Sequence, residues 1–584
     1  MQLLLILGRA IALCAWFALS RNSTYYNPVL SGWHSDPSCV HVNRTFFCAT
    51  SSFLSFPGIP IYASDDLIRW RLISHVWSRD SQLPGVSWNT TATQGGLYAP
   101  TLRYHNGEFY VASVHIVSTV DIEVFGVVFR SIDPFDVGGW SDPVRFETTW
   151  RIDPDLFWDD DDTLYVATSG IFLQTLDLDA GTVGNSINIW NGTGGESPEG
   201  PHIYKKDSWY YLMIAEGGTA LNHAVTIARS KDITGPYTSY HQNPVLTNRG
   251  SDEYFQTIGH ADLFQDANGN WWGMCLATRS GPEYEVYPMG REAALFPVTW
   301  EEDEWPVMQP IRGVMSGWEL PSNTSSVGLL NTDPENYHFG ADIEVPLHFV
   351  YPRVPPKTVA MTANGMQVVP TRSNLTGARD EDVELTGQHG IGFIGRPQTH
   401  TSFEFRVDLL FTPQAVQEEA GVSIFLTQYD HIDLSVTLLD DFTNTSHTKY
   451  HRSRRDEGPR MYFNFHIQSS ANDTVSQLTP VPADWVTHAI RLEIIASNTT
   501  YTLYASSVLE THRGIQVGQA QARIVSGASG SFVGSVIGGF ATCNGAGTTN
   551  RCPHQDIAYF QTWRYVGLGQ QISSDVFVNT PTAL

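Results

Sequence analysis

The segments SCVHVNRTFFCATS (38–51), LRYHNGEFYVASV (102–114), LFWDDDDTLYVATS (156–169), HIYKKDSWYYLMI (202–214) and LFQDANGNWWGMCL (263–276) share one pattern: an apolar pair, a polar turn, then an aromatic-rich apolar run. Each reads as a β-hairpin, because polar turn residues between two apolar runs end one strand and start the next. With turn centres at Asn43, Asn106, Asp160, Lys206 and Asn268, the spacings are 63, 54, 46 and 62 residues, which suit one four-stranded unit apiece. A period of that size in all-β sequence predicts propeller blades, here five, over residues 25–315. Outer-strand signals follow at PIYASDDLIRWRLI (60–73), VVFRSIDPFDVGGWSDPV (127–144) and TIARSKDITGPYTSY (226–240).

Counting back from the turns, Asp36, Asp153 and Glu199 each stand seven residues before their centre, and His260 stands eight before Asn268. Equivalent positions at the start of a propeller's inner strands converge on its axis, so three carboxylates and an imidazole are expected around one funnel. Like charges in a partly dry funnel raise at least one carboxyl pKa. One acid then donates a proton near neutral pH while another stays ionised as a base, the pair that glycoside hydrolysis needs. The third can tune the donor. Pro37 fixes the chain behind Asp36, and Gly200-Pro201 makes an unusual turn after Glu199. Asp155, two residues beyond Asp153, is expected on the same strand face.

The 584 residues exceed one core and predict two or three domains. Residues 1–20 hold Arg9 as their only charge, an apolar run AIALCAWFAL and the ending Ala18-Leu19-Ser20. They read as a secretory signal, since the apolar run falls short of the ~20 residues a membrane span needs. Nine Asn-x-Ser/Thr sequons among 25 asparagines (Asn22, Asn43, Asn89, Asn191, Asn323, Asn374, Asn444, Asn472, Asn498) fit a secreted glycoprotein. Cys39 and Cys48, and likewise Cys543 and Cys552, stand nine apart across turns, and either pair can close in an oxidising compartment. Cys275 reads as a buried thiol.

A net charge of −26 with no basic stripe argues against nucleic acid or an anionic polysaccharide as partner. The 17 Trp and 24 Tyr suit neutral sugars recognised by flat apolar faces. From GWELPSNTSSVG (317–328) the hairpin pattern lapses, so residues 316–336 read as a linker. Short alternating strands resume over 337–584 at SFEFRVDLLF (402–411), AGVSIFLTQ (420–428), HIDLSVTLL (431–439), HAIRLEIIAS (488–497) and YTLYASSVL (501–509), which predicts a lectin-like β-sandwich.

GWHSDPS, GGLYAPTLRYHNGEFYV, IDPDLFWDDDDTLYV, EGPHIYKKDSWYYL, GHADLFQDANGNWW and MGREAALFPVTWEEDEWP, in this order, resemble glycoside hydrolase family 43, the five-bladed propeller β-xylosidases and α-L-arabinofuranosidases. The C-terminal part resembles the accessory sandwich of β-xylosidases in that family. The resemblance implies inversion, with Asp36 as general base, Glu199 as general acid and Asp153 as pKa modulator, the inverting pair ~6.5–9.5 Å apart. It implies no required cofactor. His260 matches the family's axial histidine, which in some members contacts calcium (Ca2+) or its water shell in the central channel. Arg291 matches an arginine that binds substrate hydroxyls, for which its fork is well shaped. Trp33, Tyr98 and the Leu221-Asn222 pair before His223 depart from the common pattern; Trp33, Tyr98 and His223 are expected to line the sugar pocket, with Phe532 reaching over from the sandwich. The expected activity is release of terminal β-D-xylose, with α-L-arabinofuranosidase as the alternative. A non-catalytic carbohydrate-binding propeller is the reading from another class, and the intact carboxylate trio weighs against it.

Overall fold

A computed structural model describes residues 22–86, 94–118, 122–322, 329–355, 359–377, 390–440, 458–471, 474–546, 552–554 and 556–579. The expected signal at 1–20 and the sequons at Asn89, Asn323, Asn444 and Asn472 lie outside them. The described chain is all-β: no helix is longer than a four-residue 3-10 turn. Among the described residues no helix is long and apolar enough to cross a membrane.

The five hairpins form as read, and each seeds its own antiparallel sheet. The first sheet runs Ser38–Val42, Thr45–Ala49, Gly58–Ser64, Arg71–Trp77, and the second Gly96–His105, Glu108–Ser118, Ile122–Ser131, Val144–Glu147. The third has Asp155–Trp158, Leu164–Thr168, Phe172–Asp177 and Thr182–Val183, with Ile187–Asn188 added alongside. The fourth runs Glu199–Lys206, Trp209–Glu216, Ala224–Ser230, Thr238–Ser239, and the fifth Phe255–Gln265, Trp271–Arg279, Glu292–Thr299, Val307–Met308. At the first two turns Asn43 and Asn106 take left-handed backbone (φ 59° and 49°), which a short polar side chain tolerates better than a bulky one.

Apolar faces of neighbouring sheets meet in order. Phe47 and Val76 of the first pack with Leu102 and Phe129 of the second; Val128 of the second with Leu156 and Val166 of the third; Leu173 of the third with Ile203 and Leu212 of the fourth. Tyr211 of the fourth shares a core with Trp272 and Phe296 of the fifth and Phe46 of the first. The fifth sheet therefore packs against both the fourth and the first. The two chain ends of this region also meet, because Ser23–Tyr26 pairs antiparallel with Val314–Gly317.

Beyond residue 330 two large sheets enclose one core. The larger has the order Val359–Thr362, Gly365–Val368, Ala558–Gln571, Ser402–Leu410, Ile490–Ala496, Thr500–Ser507, Ile515–Gln521, with Glu335–His338 and Phe577–Asn579 also on Ala558–Gln571. The smaller has the order Phe393–Pro397, Val536–Thr542, Glu419–Thr427, Asp430–Leu439, Arg460–Gln468, Val475–Pro480. Alternation in SFEFRVDLL turns Phe403, Phe405 and Val407 inward, where they join Ile424, Leu434 and Trp563. Trp33 and Phe53 of the first half belong to the same core. Cys39–Cys48 and Cys543–Cys552 are both disulfides, and Cys275 is free and buried.

Candidate active site

Within its inner strand or just before it, each sheet has a residue with left-handed backbone. These are Asp36 (φ 52°), Ala99 (25°), Asp153 (57°), Gly200 (56°) and His260 (46°). Proline follows in four of the five, as Pro37, Pro100, Pro154 and Pro201, with Ala261 in the fifth. Register shifts interrupt the ladder at this level in the second, fourth and fifth sheets. A bulge leaves an amide without its ladder partner, and proline has no amide to leave. Left-handed residues other than glycine are strained by about 1–3 kcal/mol each, so four at one level mark a place where side-chain direction outranks backbone comfort.

The side chains they aim meet in a cavity of about 210 Å³ lined by Asp36, Asp153, Glu199, His260, Arg291, Tyr98 and Phe532, together with Phe53 and Thr219. Ser51 donates its hydroxyl to Asp36 Oδ2 at 2.6 Å, and Arg291 Nη1 donates to Asp36 Oδ1 at 3.3 Å. His260 Nδ1 lies 3.6 Å from the same oxygen. The Gly200 amide donates to Asp153 Oδ2 at 3.1 Å, which couples Asp153 to the residue after Glu199. Arg291 further donates to Thr219 Oγ1 (3.1 Å) and to the Phe532 carbonyl (3.3 Å), and its guanidinium lies 5.2 Å from the Phe532 ring centre. Phe53 stacks on Phe532 at 5.9 Å and meets Tyr98 edge-on at 4.8 Å, giving one side of the pocket an aromatic wall. The Phe532 amide donates to Gln94 Oε1 at 2.6 Å, so the C-terminal half is latched onto the rim.

The environments separate the three acids. Burial pushes Glu199 upward, and the charge of Asp36 adds to it, carrying its carboxyl to about 7. Burial also acts on Asp36, but Arg291, His260 and the Ser51 hydroxyl overcome it and hold Asp36 below the ordinary aspartate value. Asp153 is driven well up by burial, then by Glu199 and Asp36, so its protonated form is favoured too. Burial lowers His260 to about 4, leaving a neutral imidazole at pH 7. One carboxylate is thus ionised opposite carboxyls that keep protons near neutrality, an arrangement suited to acid–base work.

Seven of the nine residues singled out in the sequence line this cavity, and Trp33 and His223 do not. Trp33 is 8% exposed and stacks at 6.0 Å on the far side of Phe53, backing the wall from behind. His223 is 1% exposed, with Nδ1 held by the Thr257 carbonyl at 3.0 Å and its ring against Gly259. Glu199 reaches the pocket from one residue earlier than its counterparts: Gly200, not Glu199, shares the left-handed position of Asp36, Asp153 and His260. Asp155 is not beside Asp153, because the left-handed turn at Asp153 breaks the alternation. Its carboxylate accepts from Arg103 and from the Ile203 amide instead. Phe53 and Thr219 escaped the sequence reading because neither lies in a repeat segment, and Ser51, which ends the first of them, carries no sign in sequence of the Asp36 carboxylate it meets.

A larger cavity of about 310 Å³ lies between the first sheet and residues 329–350. Its buried acid Glu335 is neutralised by His348 at 2.9 Å and Arg396 at 3.1 Å, so volume alone does not single it out. The buried acids Asp155 and Asp262, each two residues beyond a pocket residue, do not fit a directly bound calcium, which takes six to eight oxygen ligands, because every one of their carboxylate oxygens already accepts from a protein donor. The atom left over there, the buried and unpartnered His202 Nε2, is a nitrogen. Among the described residues no group of three or more His, Cys, Asp or Glu is placed to hold a metal.

Residues 25–306 match the model of Glycosyl hydrolases family 43, and residues 338–565 match that of the Beta xylosidase C-terminal Concanavalin A-like domain. The chain is 34% identical over 542 residues to a non-reducing end alpha-L-arabinofuranosidase of Bacteroides ovatus, covering 90% of this chain and 93% of that protein. It is 32% identical over 562 residues to a xylosidase/arabinosidase of Butyrivibrio fibrisolvens, covering 91% and 98%. Among solved structures, Xyloglucan PUL GH43B of Bacteroides ovatus superposes with a TM-score of 0.78 at 31% identity, over 94% of this chain and all of that one (100%). A xylan beta-1,4-xylosidase of Bacillus halodurans gives a TM-score of 0.77 at 26% identity, over 93% and 99%.

Proposed function

Because the chain belongs to glycosyl hydrolases family 43 and is a glycosidase, we propose that it releases terminal β-D-xylose from xylo-oligosaccharides or xylan by inversion, from a closed five-bladed propeller spanning 25–315. The five sheets packed in sequence, with the fifth against the first, support that architecture. The two-sheet region, taken as 337–584, is its accessory sandwich, joined by a linker at 316–336. Secretion, with 1–20 as signal, suits the two disulfides.

The observation that carries the mechanism is the split between Asp36 and Glu199. Asp36, kept ionised by Arg291 and Ser51, draws a proton from water as the water attacks the anomeric carbon. Glu199, protonated up to about pH 7, gives its proton to the departing glycosidic oxygen. The C–O bond to the leaving group breaks as the new C–O bond forms on the opposite face. Asp153 shapes the acid in two ways: its carboxyl adjoins Glu199, and it holds the Gly200 amide at 3.1 Å, fixing the backbone from which Glu199 projects. Arg291, already paired with Asp36, presents its remaining N–H edge to sugar hydroxyls, and Tyr98 and Phe532 offer aromatic surface to the ring, with Phe53 stacked between Phe532 and Trp33 as their support.

A second reading, α-L-arabinofuranosidase, is favoured by the relative named for that activity at 34% identity. The two are separated by kcat/KM on 4-nitrophenyl β-D-xyloside and on 4-nitrophenyl α-L-arabinofuranoside. The xyloside is expected to be the better substrate; a reversed ratio selects the second reading.

A further inference from the structure

Arg103 ties the inner strands of the five sheets to one another. Its Nη2 donates to Asp155 Oδ1 (2.5 Å) and His202 Nδ1 (2.9 Å), and its Nη1 to Asp262 Oδ2 (2.8 Å) and Ser38 Oγ (3.3 Å). Arg103 belongs to the second sheet; these partners belong to the third, fourth, fifth and first. Ser38, Asp155 and Asp262 each stand two residues beyond a pocket residue of the same chain segment, Asp36, Asp153 and His260. His202 stands two beyond Gly200 and three beyond Glu199. The side chains of Asp155 and Asp262 are 0% exposed and that of Arg103 17%, so the guanidinium is the counter-charge of two fully buried carboxylates.

We propose that Arg103 is the resident cation of this channel and a positioning residue for catalysis, doing with a guanidinium what a channel metal ion would do. The planar fork addresses two carboxylates on two edges at once, which neither a lysine nor a spherical ion reproduces. The remaining carboxylate oxygens are taken by the Ile203 amide (2.9 Å), Tyr204 hydroxyl (2.7 Å), Leu263 amide (3.0 Å) and Ser38 hydroxyl (2.6 Å), so the hub is complete without a metal. Through it the strand starts that carry Asp36, Asp153, Glu199 and His260 are held in one register. The inference rests on the carboxylate roles proposed above and extends them by one layer.

The test compares the whole wild-type chain with Arg103→Met, which keeps length and loses charge, and Arg103→Lys, which keeps charge and loses the fork. Chelator-dialysed wild type is expected to show the same kcat/KM with EDTA or with added calcium chloride, within about twofold. Arg103→Met is expected to lose roughly 100-fold in kcat with KM little changed. Its kcat/KM bell should move upward by roughly 0.5–1 pH unit, because Asp155 and Asp262 are left uncompensated. The groups that titrate, Asp36, Asp153 and Glu199, face His260, Arg291 and Tyr98, with His223 behind the pocket, all unaltered. Arg103→Lys should restore the bell's position and only part of kcat. A wild type that needs calcium, or a folded Arg103→Met with the wild-type bell and turnover, overturns the assignment. If the methionine variant does not fold, the lysine variant and the chelation arm decide. In the same assay Asp36→Asn and Glu199→Gln at wild-type turnover would sink the carboxylate roles. Their loss beside an unmoved Arg103→Met profile would sink the arginine assignment alone.

Discussion

Glu199→Gln removes the proton that the leaving oxygen needs, and Asp36→Asn removes the group that receives the proton of water. Each is expected to lower kcat by roughly 10²–10⁴-fold on unactivated xylobiose, the usual range for a general acid or base, with circular dichroism unchanged. The pH profile follows from the shifts. Glu199 acts protonated and its carboxyl sits at about 7, so kcat/KM is expected to fall as pH rises through that value. The acid limb falls where Asp36 gains a proton, below the ordinary aspartate value because Arg291 resists it. Stability carries the same sign for Glu199. Its folded value is raised from 4.5, so its contribution is fully present below about 4.5 and is lost as pH rises through about 7. Gly200 is a constrained backbone position: φ is 56°, and a Cβ would come 3.1 Å from the His260 ring. Gly200→Ala is expected to reduce kcat roughly 10- to 100-fold with KM little moved, measured by initial rates on 4-nitrophenyl β-D-xyloside. The carboxylates were legible because each follows the repeat. Arg103 sits inside the quoted LRYH, yet a lone arginine in a strand carries no sign of the two acids it will meet from other sheets. Trp33 and His223 flank pocket residues in sequence, but stacking on Phe53 and the hydrogen bond to the Thr257 carbonyl hold them behind its wall.

At the level of elements, hairpins were readable because a polar turn between apolar runs leaves few alternatives. The starts of the inner strands were readable only in part: the left-handed residue before each proline shifts the register, so counting back from a turn reached Glu199 where the fold puts Gly200. In the C-terminal half the predicted strands appear within a residue or two, but the 14-residue strand Ala558–Gln571 was not foreseen. Register shifts along its pairing with Ser402–Leu410 break the period-two pattern that betrays a strand. The turn carrying Phe532 is the element with the clearest functional consequence, since it lends an aromatic face and a carbonyl to Arg291 from the other half of the chain. Phe532→Ala is expected to lower kcat/KM about tenfold, mainly through KM, with the thermal midpoint shifted little because the side chain is only half-buried. Unchanged kcat/KM on xylobiose would show that the wall does not touch the sugar.

For the whole molecule, the core of the two-sheet half includes Trp33 and Phe53 from the segments that flank the first hairpin of the other half. Two regions that share a buried core lose it together, so scanning calorimetry of the intact chain is expected to give one cooperative transition rather than two separated ones. The same continuity makes the pocket a joint product: carboxylates from the repeats, and Phe532 from the two-sheet half. The claim on which the rest depends is that Asp36 and Glu199 act from opposite faces of the sugar, one on water and one on the leaving oxygen. Proton NMR of the anomeric signal during early hydrolysis of a β-xyloside reads that claim directly. α-D-xylose appearing first, before mutarotation, is the predicted result, and β-D-xylose appearing first would contradict it.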